Sequence, residues 1–557
     1  MKFEIAFLAF ALLLSAFLLV PTANGQQPPV HQHTPDQEAG EHVRSGLQNI
    51  EKRQWEAAIR EFQQALRLDP KSAETHNSLG WVMMQTGHYD DALQEFGEAT
   101  ALDPKLSDAY FNAGKALEYK RDLDRAIASY QEALRVRPDW AEAHDALGVV
   151  LGHRGNYLGA RREFEAAIKA KPDDGEAHYH LGLAEWFGDD HGAAFAEFQA
   201  AERLRPGDAN VHDYLGLAYQ DQEKIDRATE EFQAATRLDP SNAQFHNHLG
   251  LALQHGGDLV NAAPEFRQAV ELAPADVEAW NNLGLVLLAQ GDGEGAIEAF
   301  NTAVKLKPEY AGARNNLGLA FLQKARWEDA IRVYRDLIAL DPNDAEAYYN
   351  LGVALKQKED FDQAGPALRR SVALDPTLPE PHYTLGVILW QQGKLDESAA
   401  EFRVAVKLKP DYEQAHSVLG SVLRQKGDLD GALAELRTAL ALNPNDSAAH
   451  QSLGAVYRQK RDPATAQQEF DKAEQLNRAT TDRQAATLTT NTGASQLRRG
   501  DIDGAIEKFR AALKLDPDFA PAHFQLAVAL RQKGHAAEAA REFEKARQLD
   551  PHLKPSP

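Results

Sequence analysis

The chain has 557 residues, 43% of them hydrophobic and 26% charged, with a net charge of −23 and no cysteine. Without cysteine it forms no disulfide, has no thiol nucleophile or cysteine-held metal, and carries no lipid on an amino-terminal cysteine. So acidic a surface repels phosphate backbones, which argues against nucleic acid as a partner and favours a basic or polar polypeptide.

In chain order, the first element is a short apolar run. Lys2 precedes Ile5 to Val20, Pro21 breaks the helix, and Ala23-Asn24-Gly25 supplies small residues before Gln26. This is the pattern of a secretory signal peptide over residues 1–25, cleaved before Gln26, and it predicts an exported protein, periplasmic or secreted. An uncleaved amino-terminal membrane anchor is the minor alternative, since the run is a little short of the ~20 residues that a span needs. No other segment reads as a membrane span, so none is expected after signal removal. Residues 26–37, with Pro28, Pro29 and Pro35 among Gln and His, read as a flexible linker.

Beyond the linker, proline recurs every thirty-four residues from Pro70 to Pro444, then again at Pro517 and Pro551. A glycine stands ten residues after each of the first twelve, from Gly80 to Gly454. Such a period means one supersecondary unit repeated, each copy burying its apolar face against its neighbours. Residues 343–376 show the unit. Ala345 to Gln357 predicts a first helix with Tyr348, Leu351 and Leu355 at helical spacing; Asp360 caps a second helix carrying Ala364, Leu368 and Leu374, and Pro376 ends it. Fifteen units fit. Repeats one to thirteen occupy 38–478, repeats fourteen and fifteen occupy 479–551 after a five-residue insertion, and 552–557 form a tail.

Positions are counted from the third residue after each closing proline. Glycine then holds position eight in repeats one to fourteen, with Ala527 in the fifteenth; alanine holds position twenty except at Ser398; position twenty-four is Phe or Tyr except at Leu368 and Leu436. Small residues at eight and twenty let the two helices approach, and the large side chain at twenty-four fills the space beside them. This pattern resembles the tetratricopeptide repeat, over more than nine-tenths of the chain. The resemblance implies an all-α fold, a right-handed α-solenoid superhelix of about fifteen repeats, and a scaffold for protein contacts. The repeats are also similar to those of the O-GlcNAc transferase superhelix. Only six residues follow Pro551, so its catalytic domain is not expected, and neither is a cofactor or an enzymatic activity.

On a helical wheel, first-helix positions four, seven, eight and eleven form a packing side. Positions two, five, six, nine, twelve and thirteen form the opposite side, which the resemblance makes the ligand-facing groove. Asn282, Asn316 and Asn350 fill position six in three consecutive repeats. Their amides are expected to face solvent and to pair with the backbone of an extended peptide, similar to the asparagine ladder of the O-GlcNAc transferase superhelix. Tyr349, Tyr383 and Trp390 adjoin them on the same face and would take side chains; Trp81, Phe111, Tyr119, Tyr179, Trp186 and Phe187 lie on it elsewhere. Histidine fills position four in ten repeats, from His42 to His523, and reads as packing rather than as a metal site, although His178/His180 and His246/His248 have ligand-like spacing. The Lys at position five and Asn at position nine used by relatives that grip chaperone tails are missing.

These readings converge on a non-catalytic protein- or peptide-binding scaffold of the cell envelope. The alternative is an accessory structural subunit of an envelope assembly or polysaccharide-export machine. Two irregularities are expected in the array. Pro264 and Pro366, at position twenty-two, should kink or delay their second helices. Between Pro444 and Pro517, Arg478 replaces the proline and five residues are added, which predicts an early start for the next helix and a weak seam.

Overall fold

The computed structural model describes residues 34–551 and 553, so the expected signal peptide and most of the expected linker lie outside the described residues. Twenty-nine α-helices follow one another in the chain, with no strand among the described residues. They divide into two units, one ending at Gly256 and one beginning at Gly257, so that the boundary falls between the two helices of repeat seven.

Within each unit the same pair recurs. A first helix at positions one to thirteen is followed by a second at positions seventeen to thirty, as in Ala345–Gln357 and Phe361–Leu374, which are the bounds that the sequence predicts for repeat ten. Within a unit, each first helix packs on its own second helix and on the second helix of the repeat before it. The first repeat starts slightly early. Its helix Pro35–Glu51 takes in the last three linker residues because Thr34 and Gln37 form a reciprocal capping box, with Pro35 at the first helical position.

The steric logic of positions eight, twenty and twenty-four holds in the packing. A methyl group added at Gly284 would stand 2.5 Å from the ring of Phe300, and one at Gly148 would stand 2.5 Å from Phe164. The alanines at position twenty, such as Ala126, Ala228 and Ala330, are wholly buried.

Pro264 and Pro366 do not delay their helices. Leu259–Leu272 and Phe361–Leu374 start at their Asp258 and Asp360 caps and run unbroken through the prolines. The carbonyls that the prolines leave without a partner belong to Val260 and Asp362, both exposed, where water can replace the missing N–H.

At the expected seam the departure is larger. Repeat thirteen's second helix and repeat fourteen's first helix are one helix, Pro463–Arg498, of 36 residues. With Arg478 in place of proline nothing stops the helix, and the added residues continue it. Its centre, Asn477 to Thr481, is exposed all round, as befits a polar helix bridging two packed ends. Among the fifteen residues at position twenty-four, only Phe470 and Phe543 are not fully buried. Each lies under an arginine from position twelve, Arg458 and Arg531, at 5.5 Å. Repeat thirteen therefore ends its stack as repeat fifteen does, with an arginine shielding the terminal ring.

Candidate functional site

Position four is a structural donor. In nine repeats the histidine Nδ1 lies 2.5–2.7 Å from the carboxylate of a glutamate at position twenty-three of the same repeat. In seven of them Nε2 also meets the carbonyl of the proline six residues back, at 2.9–3.3 Å. Where histidine is replaced, Trp280 Nε1 and Arg314 Nε donate to the equivalent carbonyls of Pro274 and Pro308. Those groups can only donate, so this carbonyl accepts from position four.

The ligand-like histidine pairs are thus taken up by the fold. His178 bonds Glu197 and Pro172, whereas His180 turns away to Asp145 at 2.8 Å; His248 bonds Asp213 in the same manner. Glu202, His212 and Glu231 bring ligand atoms within 4.8 Å of one another, but both ring nitrogens of His212 already bond, to Glu231 and to Pro206.

Position six links consecutive repeats. The Asn316 amide donates to Asn281 Oδ1 at 2.9 Å, and Asn350 donates to Asn315 Oδ1 at 2.9 Å, each reaching position five of the preceding repeat. Asn112 to Asn77, His180 to Asp145 and His248 to Asp213 repeat the arrangement. In repeats five and six the same two positions hold aromatic rings: Tyr179 meets Tyr214 edge-on, with ring centroids 6.0 Å apart. The expectation that the three asparagines face solvent unpaired is therefore corrected. Asn350 is buried, Asn282 and Asn316 are half-buried, and the Asn316 and Asn350 amides are oriented by the stack.

Tyr349, Tyr383 and Trp390 are half-buried on the first helices of repeats ten and eleven. The Tyr349 hydroxyl bonds Thr384, and burial raises its pKa. Tyr383 packs against Phe402 and Tyr412 with centroids 5.7 and 5.0 Å away. Trp390 Nε1 donates to Gln425 Oε1 at 3.0 Å. The structure thus places these three on one stretch of the first-helix face, each anchored to the next repeat or to its own second helix. The most exposed aromatic side chains lie elsewhere: Tyr119 stacks on Tyr89 and Phe187 on Tyr157, each from position thirteen onto position seventeen of the preceding repeat.

Models of the tetratricopeptide repeat match residues 49–118, 107–140, 146–209, 215–277 and 491–553, which together cover more than half of the chain. The chain belongs to the tetratricopeptide repeat family. Residues 275–490 also match the cilia and flagella-associated protein 70 C-terminal domain. No curated protein matches the chain. Among solved tetratricopeptide-type structures it is similar to yeast Tom70, at 17% identity and TM-score 0.36, covering 77% of this chain and 98% of that one. It is similar to MamA at 26% and 0.29, covering 31% and 94%, and to YrrB, described as a TPR protein with an unusual peptide-binding site, at 24% and 0.28, covering 34% and 96%. No helix among the described residues is long and apolar enough to cross a membrane.

Proposed function

We propose that this tetratricopeptide protein is an exported, non-catalytic scaffold that binds extended polypeptide segments on the first-helix face of repeats eight to eleven. Asn282, Asn316 and Asn350 recur there at one register, and in Asn316 and Asn350 an amide with one N–H held by the stack keeps a fixed plane. Its second N–H and its carbonyl oxygen are the groups it can offer to a peptide backbone. Tyr349, Tyr383 and Trp390 supply rigid aromatic surface beside that row, the kind of side chain on which binding energy concentrates. The single observation that carries the reading is this juxtaposition of stack-oriented amides and anchored, half-buried aromatics. The acidic chain favours basic or polar segments. Export rests on the amino-terminal sequence pattern.

A photo-crosslinking residue placed at 390, and as a control at exposed Val404 on the second helix of the same repeat, tests the site in native cells. Extended polypeptide crosslinked from 390 and not from 404 is the expected result. Equal yields from both positions, or none from 390, would refute the assignment. Sequencing the amino terminus of the native protein tests export, with Gln26 as the expected first residue and an intact Met1 as the contrary outcome.

A further inference from the structure

Repeat three departs from its neighbours at several positions, and the departures meet in one place. Position seven is Ala113, where twelve of the fifteen repeats carry leucine; position four is Tyr110 and position twenty-three is Ser129, where ten repeats carry the histidine–glutamate pair. Facing them from repeat two is Gly97, the only glycine at position twenty-five in the array. These residues line a single cavity of about 280 Å³, together with Leu93, Phe96, Leu117 and Ala128. A methyl group added at Gly97 would have no atom within 4 Å. Large side chains are thus exchanged for small ones on both walls, and the space is left open instead of being filled from elsewhere.

The lining has two characters. Leu93, Phe96, Ala113 and Leu117 make an apolar floor, whereas Thr100, Tyr110, Ser129 and Arg125 bring three hydroxyls and one guanidinium. Arg125 is exposed, and its carboxylate partner Asp122 stands 3.5 Å away while also accepting from the backbone N–H of Arg125 as a helix cap. A long exposed ion pair of that kind contributes little, so the guanidinium is available to a better-placed carboxylate, which it can hold bidentately. An apolar cavity of roughly 150 Å³ already admits a benzene ring; this one has room for a ring and a short chain.

We propose that the cavity between repeats two and three binds a small amphiphilic carboxylic acid, its ring or branched apolar group on the Ala113–Gly97 floor and its carboxylate on Arg125. This site lies apart from the face of repeats eight to eleven and does not depend on it. Calorimetric titration of the full chain with 3-phenylpropionate, and with the neutral 3-phenylpropionamide, tests it. The acid should bind saturably and the amide at least about tenfold more weakly, as expected for loss of a charge-assisted contact. Ala113→Leu, which restores the side chain most repeats carry, should abolish binding while keeping the melting temperature at or above that of the parent. Gly97→Gln, the residue at this position in four other repeats, provides a second way to fill the space, and Arg125→Gln should reduce acid binding to the level of the amide. Absence of saturable binding, equal binding of acid and amide, or undiminished binding by both filled variants would overturn the proposal.

Discussion

Between the two helices of every repeat, position fifteen lies in the left-handed region of backbone space. Eight repeats place glycine there, among them Gly291 and Gly427, whereas Arg53, Arg121, Asp189, Glu223, Ala325, Glu359 and Arg461 adopt it with a side chain, at φ from 55° to 66°. Alanine has no polar group to compensate, so Ala325 bears the full conformational cost of about 1–2 kcal/mol, against which the extra freedom of glycine in the unfolded chain returns about 0.5–1. Ala325→Gly should therefore stabilise the protein by roughly 0.5–1 kcal/mol in urea denaturation; a loss of stability would show that the turn is not strained. Gly284→Ala should do the reverse, costing about 1–3 kcal/mol because Phe300 leaves no space for a methyl group. The glycine, alanine and aromatic positions were legible because each states a steric need at a single site. The partner of position four was not, because it appears only when two sites are read together. All ten histidines at position four have glutamate nineteen residues on, and none of the other five repeats does.

At the scale of helices, the long element Pro463–Arg498 shows how a local change alters the array. The sequence makes the missing proline and the insertion visible, but an insertion can loop out, lengthen a helix or fuse two, and only the packing selects among these. Six threonines in this helix, among them Thr480 and Thr481, donate their hydroxyls to the carbonyl four residues back, which satisfies the hydroxyls within the helix at a slight cost to its stability. The same gap between column and contact explains the asparagine row. From the sequence alone the row is three exposed amides, because the acceptors of Asn316 and Asn350 lie thirty-five residues earlier, on another helix. A proline restored at position 478 would interrupt the fused helix at a cost of about 3 kcal/mol. Arg478→Pro should split thermal unfolding into two calorimetric transitions, since repeats fourteen and fifteen would lose their continuous link to the stack, whereas Arg478→Ala on the same exposed residue should leave one profile unchanged. A single transition in the proline variant would mean that the link carries no cooperativity.

At the scale of the whole molecule, the histidine–glutamate pairs of repeats four and six couple stability to pH. In His144 and His212 Nε2 meets a proline carbonyl, which only accepts, and Nδ1 meets a carboxylate, so the protonated ring is the form that satisfies both partners. His144 and His212 accordingly titrate above the ordinary histidine value, chiefly through their hydrogen bonds to Glu163 and Glu231, with the carbonyls of Pro138 and Pro206 and the nearby Asp139 and Glu202 acting in the same sense and burial opposing them. A histidine whose folded pKa is raised contributes stability that is fully present below its unfolded value, about 6.5, and is lost as pH rises through the folded value. Glu185 adds to the same trend. Burial beside Glu197 and Asp190, only partly offset by Arg161, lifts it from 4.5 to about 7, so stability falls as pH rises between those values, over which the unfolded chain has lost a proton that the folded protein keeps. The melting temperature should therefore fall between pH 6 and pH 8. General repulsion in a chain of net charge −23 would act in the same direction, but it is screened by salt far more than partly buried pairs are. The fall should hence persist at about 0.5 M salt, and it should shrink in His212→Gln/Glu231→Gln, which keeps two polar side chains in place without a titrating ring. A double variant with the parent's full pH dependence in high salt would show that the His212–Glu231 pair is not a source of it.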